Sequence, residues 1–229
     1  RSGDGYFTDV ATANDKVGKD ENWTIRAALK ADVSEDVSLL LRYTHTENDD
    51  PTAVLPNTYI DRSGDADFVR TVSSAGKAVY GISSTKGLPL PYFFAPSNTY
   101  ATKPGQVLLN TDTYFNTNVD TFQATLKADL GFADLTSYSQ YRHDKTPYVT
   151  DIDATALPLF GLYVGVVDKT YSQEFLLTSK PGSRLQWTAG ANYFQYKDAW
   201  DVGAPFGGPF SPFGGSTTTP KSYAAFLDA

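Results

Sequence analysis

Thr170-Tyr171-Ser172-Gln173-Glu174-Phe175-Leu176-Leu177-Thr178-Ser179, then Lys180-Pro181-Gly182-Ser183-Arg184, then Leu185-Gln186-Trp187-Thr188-Ala189-Gly190-Ala191-Asn192-Tyr193-Phe194-Gln195-Tyr196, decides the fold. Two runs of about ten residues alternate in polarity, the period of a half-buried strand. Pro181-Gly182 between them is turn chemistry, because Pro presets one negative φ and Gly accepts a positive one. In the second run Leu185, Trp187, Ala189, Ala191 and Tyr193 share one face, and Gln186, Thr188, Gly190 and Asn192 share the other. The stretch predicts a β-hairpin with one apolar and one polar face, over 170–179 and 185–196.

The same alternation recurs on both sides. Strands are expected near 22–30, 37–46, 119–130, 133–142 and 222–229. In the first, Trp23, Ile25, Ala27 and Leu29 oppose Thr24, Arg26, Ala28 and Lys30; in the second, Leu40 interrupts the polar row. Tyr138 sits on the polar parity of the 133–142 strand. The stretches 47–118, 143–169 and 197–220 lack a sustained period and are read as long loops, with a short strand near Val79–Ile82 inside the first. Arg1–Glu21 is read as the end of a preceding strand and a loop. Connections therefore alternate short and long, which in an up-and-down meander collects the long ones at one end.

An aromatic stands at the long-loop end of each apolar row: Trp23, Tyr43, Phe122, Tyr141, Tyr171, Tyr193 and Tyr223. Amphipathic rings at one height suit a membrane–water interface. Arg26, Lys30, Arg42, Lys127, Asp129, Asp134, Arg142 and Glu174 all fall on the opposite parity. A soluble antiparallel sheet with one wet face accounts for the alternation and the charge parity equally well. The aromatics and the long loops at one shared end are what a transmembrane barrel explains in addition.

Bulk composition narrows the field. The 229 residues suffice for one large domain or two small ones, and no apolar run is long enough for a membrane helix. A chain that starts at Arg1 and contains no Met is expected to be an internal piece of a longer protein. Without cysteine there is neither a disulfide frame nor a thiolate metal site. A net charge of −7 argues against nucleic acid as a partner.

Ser172-Gln173-Glu174-Phe175-Leu176-Leu177-Thr178-Ser179 followed by Arg184-Leu185-Gln186-Trp187-Thr188-Ala189-Gly190 resembles a strand–turn–strand of the TonB-dependent outer-membrane receptors, of the alphaproteobacterial type. Leu135-Thr136-Ser137-Tyr138 with Tyr141-Arg142, Gly3-Asp4-Gly5-Tyr6, Thr24 to Lys30, and Tyr223-Ala224-Ala225-Phe226 are similar to further strands of that barrel, in order. Leu176 departs from the family, which often has an Arg facing the lumen there. The resemblance implies an all-β, antiparallel up-and-down transmembrane β-barrel, of which about seven strands belong to this chain and about 22 to the whole. It also implies a plug domain outside this chain, location in the bacterial outer membrane with lipid and lipopolysaccharide around the wall, and coupling to the TonB-ExbB-ExbD complex. The implied function is uptake of a scarce small molecule, an iron-siderophore or an oligosaccharide, without enzymatic activity. A passive porin-type channel and a secreted all-β carbohydrate-binding protein are the rival readings.

Other chemistry is sparse. His45 and His143 enter the long loops without a third ligand at diagnostic spacing, and read as solvated strand-end residues. Asp61 to Asp67 offers oxygens at alternate positions, but Val72 stands where a calcium loop needs its bidentate Glu. Phe93, Phe94, Phe206, Phe210 and Phe213 are loop aromatics, read first as packing over the barrel mouth and second as surfaces for stacking on the solute. No cofactor, metal site, nucleophile elbow or phosphate loop is expected.

Overall fold

The computed structural model describes residues 2–9, 13–50, 71–72, 77–79, 94–96, 105–107, 109, 113–151, 161–204 and 211–229. In chain order the strands are β1 (Ser2–Gly3), β2 (Phe7–Asp9), β3 (Asn14–Val17), β4 (Asp20–Asp32), β5 (Val37–Asp49), β6 (Thr71–Val72), β7 (Lys77–Val79) and β8 (Phe94–Pro96). They continue as β9 (Gln106–Val107), β10 (Tyr114–Asp129), β11 (Ala133–Lys145), β12 (Tyr148–Asp151), β13 (Gly161–Ser179), β14 (Thr188–Ala204), β15 (Ser211–Thr218) and β16 (Lys221–Asp228). The described residues contain no helix.

Ten strands form one antiparallel sheet in which β4, β5, β10, β11, β13 and β14 are neighbours in sequence order, an up-and-down meander. Two apparent complications are single strands interrupted by proline. β10 pairs Asn118 with Lys145 on β11 and Phe115 with Tyr148 on β12 without any change of register. Pro147, which has no N–H to give, lies in the gap, and its carbonyl still accepts from Asn116 at 3.1 Å. On the far edge β14 pairs Asp198 with Thr218 and Gln195 with Lys221, again in one register, with the Pro220 carbonyl accepting from Tyr196 at 3.1 Å. β11 with β12, and β15 with β16, are thus each one long strand.

The turns follow from local chemistry. Gly131 and Gly182 take φ of 79° and 85°, the left-handed region that only glycine enters freely. Asp129 closes the first of these turns by accepting from the Gly131 N–H at 2.7 Å. The second turn is longer than the sequence predicts, and the strand after it starts at Thr188 instead of 185. One backbone bond, the Ser179 N–H to the Trp187 carbonyl at 2.9 Å, is joined there by side chains: Ser179 Oγ accepts from the Trp187 N–H at 3.0 Å, and Gln186 Nε2 donates to the Ser183 carbonyl at 2.9 Å.

The loop bounds 47–118, 143–169 and 197–220 need correction. β5 runs to Asp49, β10 starts at Tyr114, β11 with β12 reaches Asp151, β13 starts at Gly161, and β14 and β15 leave only 205–210 between them. These outer portions lack the alternation that marks a strand in sequence: Glu47-Asn48-Asp49 is polar on both faces, and Leu162 to Val164 with Val166 and Val167 is apolar on both. Inside 47–118 the short strands β6, β7 and β8 form their own sheet; of the strand expected near Val79–Ile82, Val79 lies in β7 and 80–82 fall outside the described residues. Near the N-terminus β1 pairs with β4, and β2 and β3 form a small sheet with β9.

A single sheet has two faces to cover, and this one has little beneath it. Among the described residues the only buried apolar side chains are Val107, Ala133 and Ala204. Leu29, Phe175 and Leu227 are 63%, 48% and 73% exposed, so no second layer of described residues packs on the apolar face. Folded layers are stable when that face is covered.

Candidate functional site

Register fixes which side chains share a face. Tyr43, Phe122, Tyr141 and Tyr171 are successive partners on β5, β10, β11 and β13. Tyr193 on β14 stands two residues nearer the turns than Gln195, the partner of Tyr171, and pairs with Tyr223 on β16. Trp23 on β4 pairs with Glu47, four residues beyond Tyr43 in the other direction. All these aromatics lie on one face. Ring centroids are 4.7 Å apart for Tyr43–Phe122, 5.8 Å for Tyr171–Tyr193 and 5.1 Å for Tyr193–Tyr223, within the range of favourable aromatic pairs.

The line they draw is level from β5 to β13, where the four rings are direct partners, stands four residues further from the turns at β4, and drops two residues toward the turns at β14 and β16.

Charge divides at this line. Between it and the turns, the aromatic face carries Ile25, Leu29, Leu39, Leu41, Ala124, Leu126, Leu135, Phe175, Leu177, Ala189, Ala191 and Leu227, and no Asp, Glu, Lys, Arg or His. Beyond it, the same face carries His45, Glu47, Asp120, His143, Lys145, Lys169, Lys197 and Lys221. The polar residues inside the uncharged band satisfy one another. Ser139 Oγ donates to Gln173 Oε1, and Gln173 Nε2 donates to Ser137 Oγ at 2.9 Å. An amide with its own partners tolerates loss of water far better than a bare one.

The opposite face is mixed: Arg26, Lys30, Arg42, Lys127, Asp129, Asp134, Arg142 and Glu174 all lie on it, together with Leu40, Phe194 and Phe226. Tyr138, the aromatic on the polar parity, is tied in by hydrogen bonds: Gln123 Nε2 donates to its hydroxyl, which donates to Gln140 Oε1, both at 2.8 Å. Leu176 faces the same side, between Thr136 and Gly190. The Phe226 ring lies over Gly190, where an added Cβ would come within 2.3 Å of it. Arg26, Arg42 and Arg142 line one concavity of about 440 Å³ with Thr44, Thr121, Gln123 and Gln140. At the turn end Lys180 reaches Asp129 at 2.6 Å and Asp134 at 2.5 Å. These hydrogen bonds, that to Asp129 first, hold the Lys180 ammonium above its ordinary pKa.

The sheet brings His45 and His143 to either side of Asp120 in one cross-strand row. Both ring nitrogens of His45 are engaged, Nδ1 at 2.9 Å from Asp120 and Nε2 at 3.5 Å from Glu47. No group of three or more His, Asp or Glu among the described residues can hold a metal ion. Of the loop aromatics, Phe94 falls in β8 and Phe213 in β15, while Phe93, Phe206 and Phe210, like the Asp61–Asp67 stretch, lie outside the described residues. The arginine concavity is a feature that sequence reading missed, because its members come from strands over a hundred positions apart. No protein-family model matches the chain, and no curated protein or solved structure matches it either.

Proposed function

We propose that this chain is part of the wall of an outer-membrane β-barrel, of the TonB-dependent receptor type, that takes up a scarce solute from outside the cell. One observation carries the membrane reading. An exposed apolar band free of charged residues is bounded by an aromatic line, and charge returns to that face only beyond the line. The band is six to eight residues tall on most strands, which at ~3.3 Å per residue and the tilt of about 40° usual in such barrels spans roughly 15–20 Å, a little under an apolar belt of about 25 Å. Lipid would cover the band and supply the missing layer. Lys145, Lys169, Lys197 and Lys221 would then stand at headgroup level.

The receptor assignment, as distinct from any barrel, rests on the motif order between Gly3 and Phe226 described above. Its test is energy coupling. Cells that rely on this protein for a limiting solute should stop accumulating it when the proton gradient is collapsed. Uptake that persists down a concentration gradient would make the protein a passive channel. Flotation with vesicles tests the membrane reading itself, and a monodisperse protein melting cooperatively in plain buffer would refute it.

A further inference from the structure

We propose that the concavity on the polar face formed by Arg26, Arg42 and Arg142 is a binding site for an anionic solute that presents several carboxylate or phosphate oxygens. The inference rests on the uptake reading above and specifies the solute class.

The register builds the site from four adjacent strands. Arg26 on β4 pairs with Thr44 on β5, Thr44 with Thr121 on β10, and Thr121 with Arg142 on β11. Arg42, two residues from Thr44 on β5, pairs with Gln123, and Gln123 with Gln140. Three guanidiniums thus surround a floor of neutral hydroxyls and amides, in a space of about 440 Å³ with no carboxylate in its lining. That volume accommodates a small organic molecule.

The guanidiniums outnumber the carboxylates beside them. Arg142 holds Asp144 through Nε, at 2.8 and 3.0 Å to the two carboxylate oxygens, whereas Arg26 and Arg42 make no ion pair among the described residues. The chain as a whole is acidic, at −7, so three arginines with one carboxylate partner are a local departure from its composition. Guanidinium stays charged at any physiological pH, and its planar fork matches two oxygens of a carboxylate or phosphate. The threonine hydroxyls and glutamine amides add donors and acceptors for the neutral parts of such a solute. In the proposed barrel the site faces the lumen close to the level of the aromatic line, on the path of a solute entering from outside.

The test is titration of the intact protein in detergent with citrate, inorganic phosphate and maltose. Citrate should bind at low ionic strength, and Arg26→Gln with Arg42→Gln should weaken it by about ten-fold or more, since hydrogen bonds to charged groups are worth that much. Arg26→Lys with Arg42→Lys, which keeps the charge and loses the fork, should fall between the two. Heat-modifiable mobility confirms that each variant is folded before it is titrated. Maltose binding that exceeds citrate binding and ignores the arginine substitutions would overturn the anionic assignment. A protein that floats with vesicles yet binds citrate no better than the glutamine variant overturns this site alone. A protein that does not float overturns the reading beneath it.

Discussion

Thr188 and Ala189 are neighbours on one strand and meet opposite chemistry. Thr188 belongs to a face that admits arginines, glutamines and carboxylates among apolar residues, and Ala189 to a band without a single charged group. On the proposed reading, an exposed band that excludes charge is contact with lipid. The polar face sets no such limit. It mixes Leu40, Tyr138, Leu176, Phe194 and Phe226 with its charged residues, whereas the opposite band admits no charge at all. Under the proposal, hydrocarbon on one side accounts for that asymmetry.

The largest expected effect breaks or upholds that contrast directly. Ala189→Arg should cost about 2–4 kcal/mol in equilibrium unfolding from bilayers, and Thr188→Arg less than about 0.5 kcal/mol. Equal losses would mean that the two faces see the same solvent. Next, Ser137→Ala with Ser139→Ala strips the Gln173 amide of its partners inside the band, at about 1–3 kcal/mol. Adding Gln173→Leu should recover most of it, since removing every polar group of a dry cluster is close to neutral. Without recovery, water reaches that surface. Phe122→Ala should lower stability by about 1–2 kcal/mol through lost ring contact with Tyr43 and lost apolar area. Gln123→Ala, one residue away on the wet face, should cost less.

The smallest effect lies at the turns. The hydrogen bond from Lys180, followed by that from the Gly131 N–H, holds the Asp129 carboxyl below its ordinary pKa. Its contribution is therefore present above the usual carboxylate range and fades as pH falls through the lowered value. Lys180→Gln should shift the melting temperature slightly at neutral pH and not at all in strong acid. The same shift at both would assign the effect to packing, not charge.

Alternation was readable wherever the two faces differ. It placed the inner parts of β4, β5, β10, β11, β13 and β14, their aromatic ends and the glycine turns, because each residue there has one allowed polarity. It failed beyond the aromatic line. Gly161 to Lys169 and Lys197 to Ala204 are strand in the structure, yet the first is apolar on both faces as far as Val167 and the second mixes polar and apolar residues on both, so the period of two carries no signal. The turn before Thr188 was misjudged because the Trp187 N–H goes to the Ser179 side chain, with only its carbonyl in a backbone bond to Ser179, and side-chain bonds hold Gln186. The arginine site was unreadable for a different reason: Arg26, Arg42 and Arg142 meet only through register, which no local pattern reports.

Pro147 and Pro220 each remove one donor from the ladder without shifting it. At both points a long strand is stitched to its neighbours by fewer bonds than above or below. Fraying that starts at the outer tips should therefore stall there and leave the inner part of the sheet paired. Amide exchange would resolve this as two populations along one strand, with Tyr148 to Asp151 exchanging ahead of Ala133 to Tyr141. Each proline thus divides one continuous strand into an outer length that can open and an inner length that stays in register.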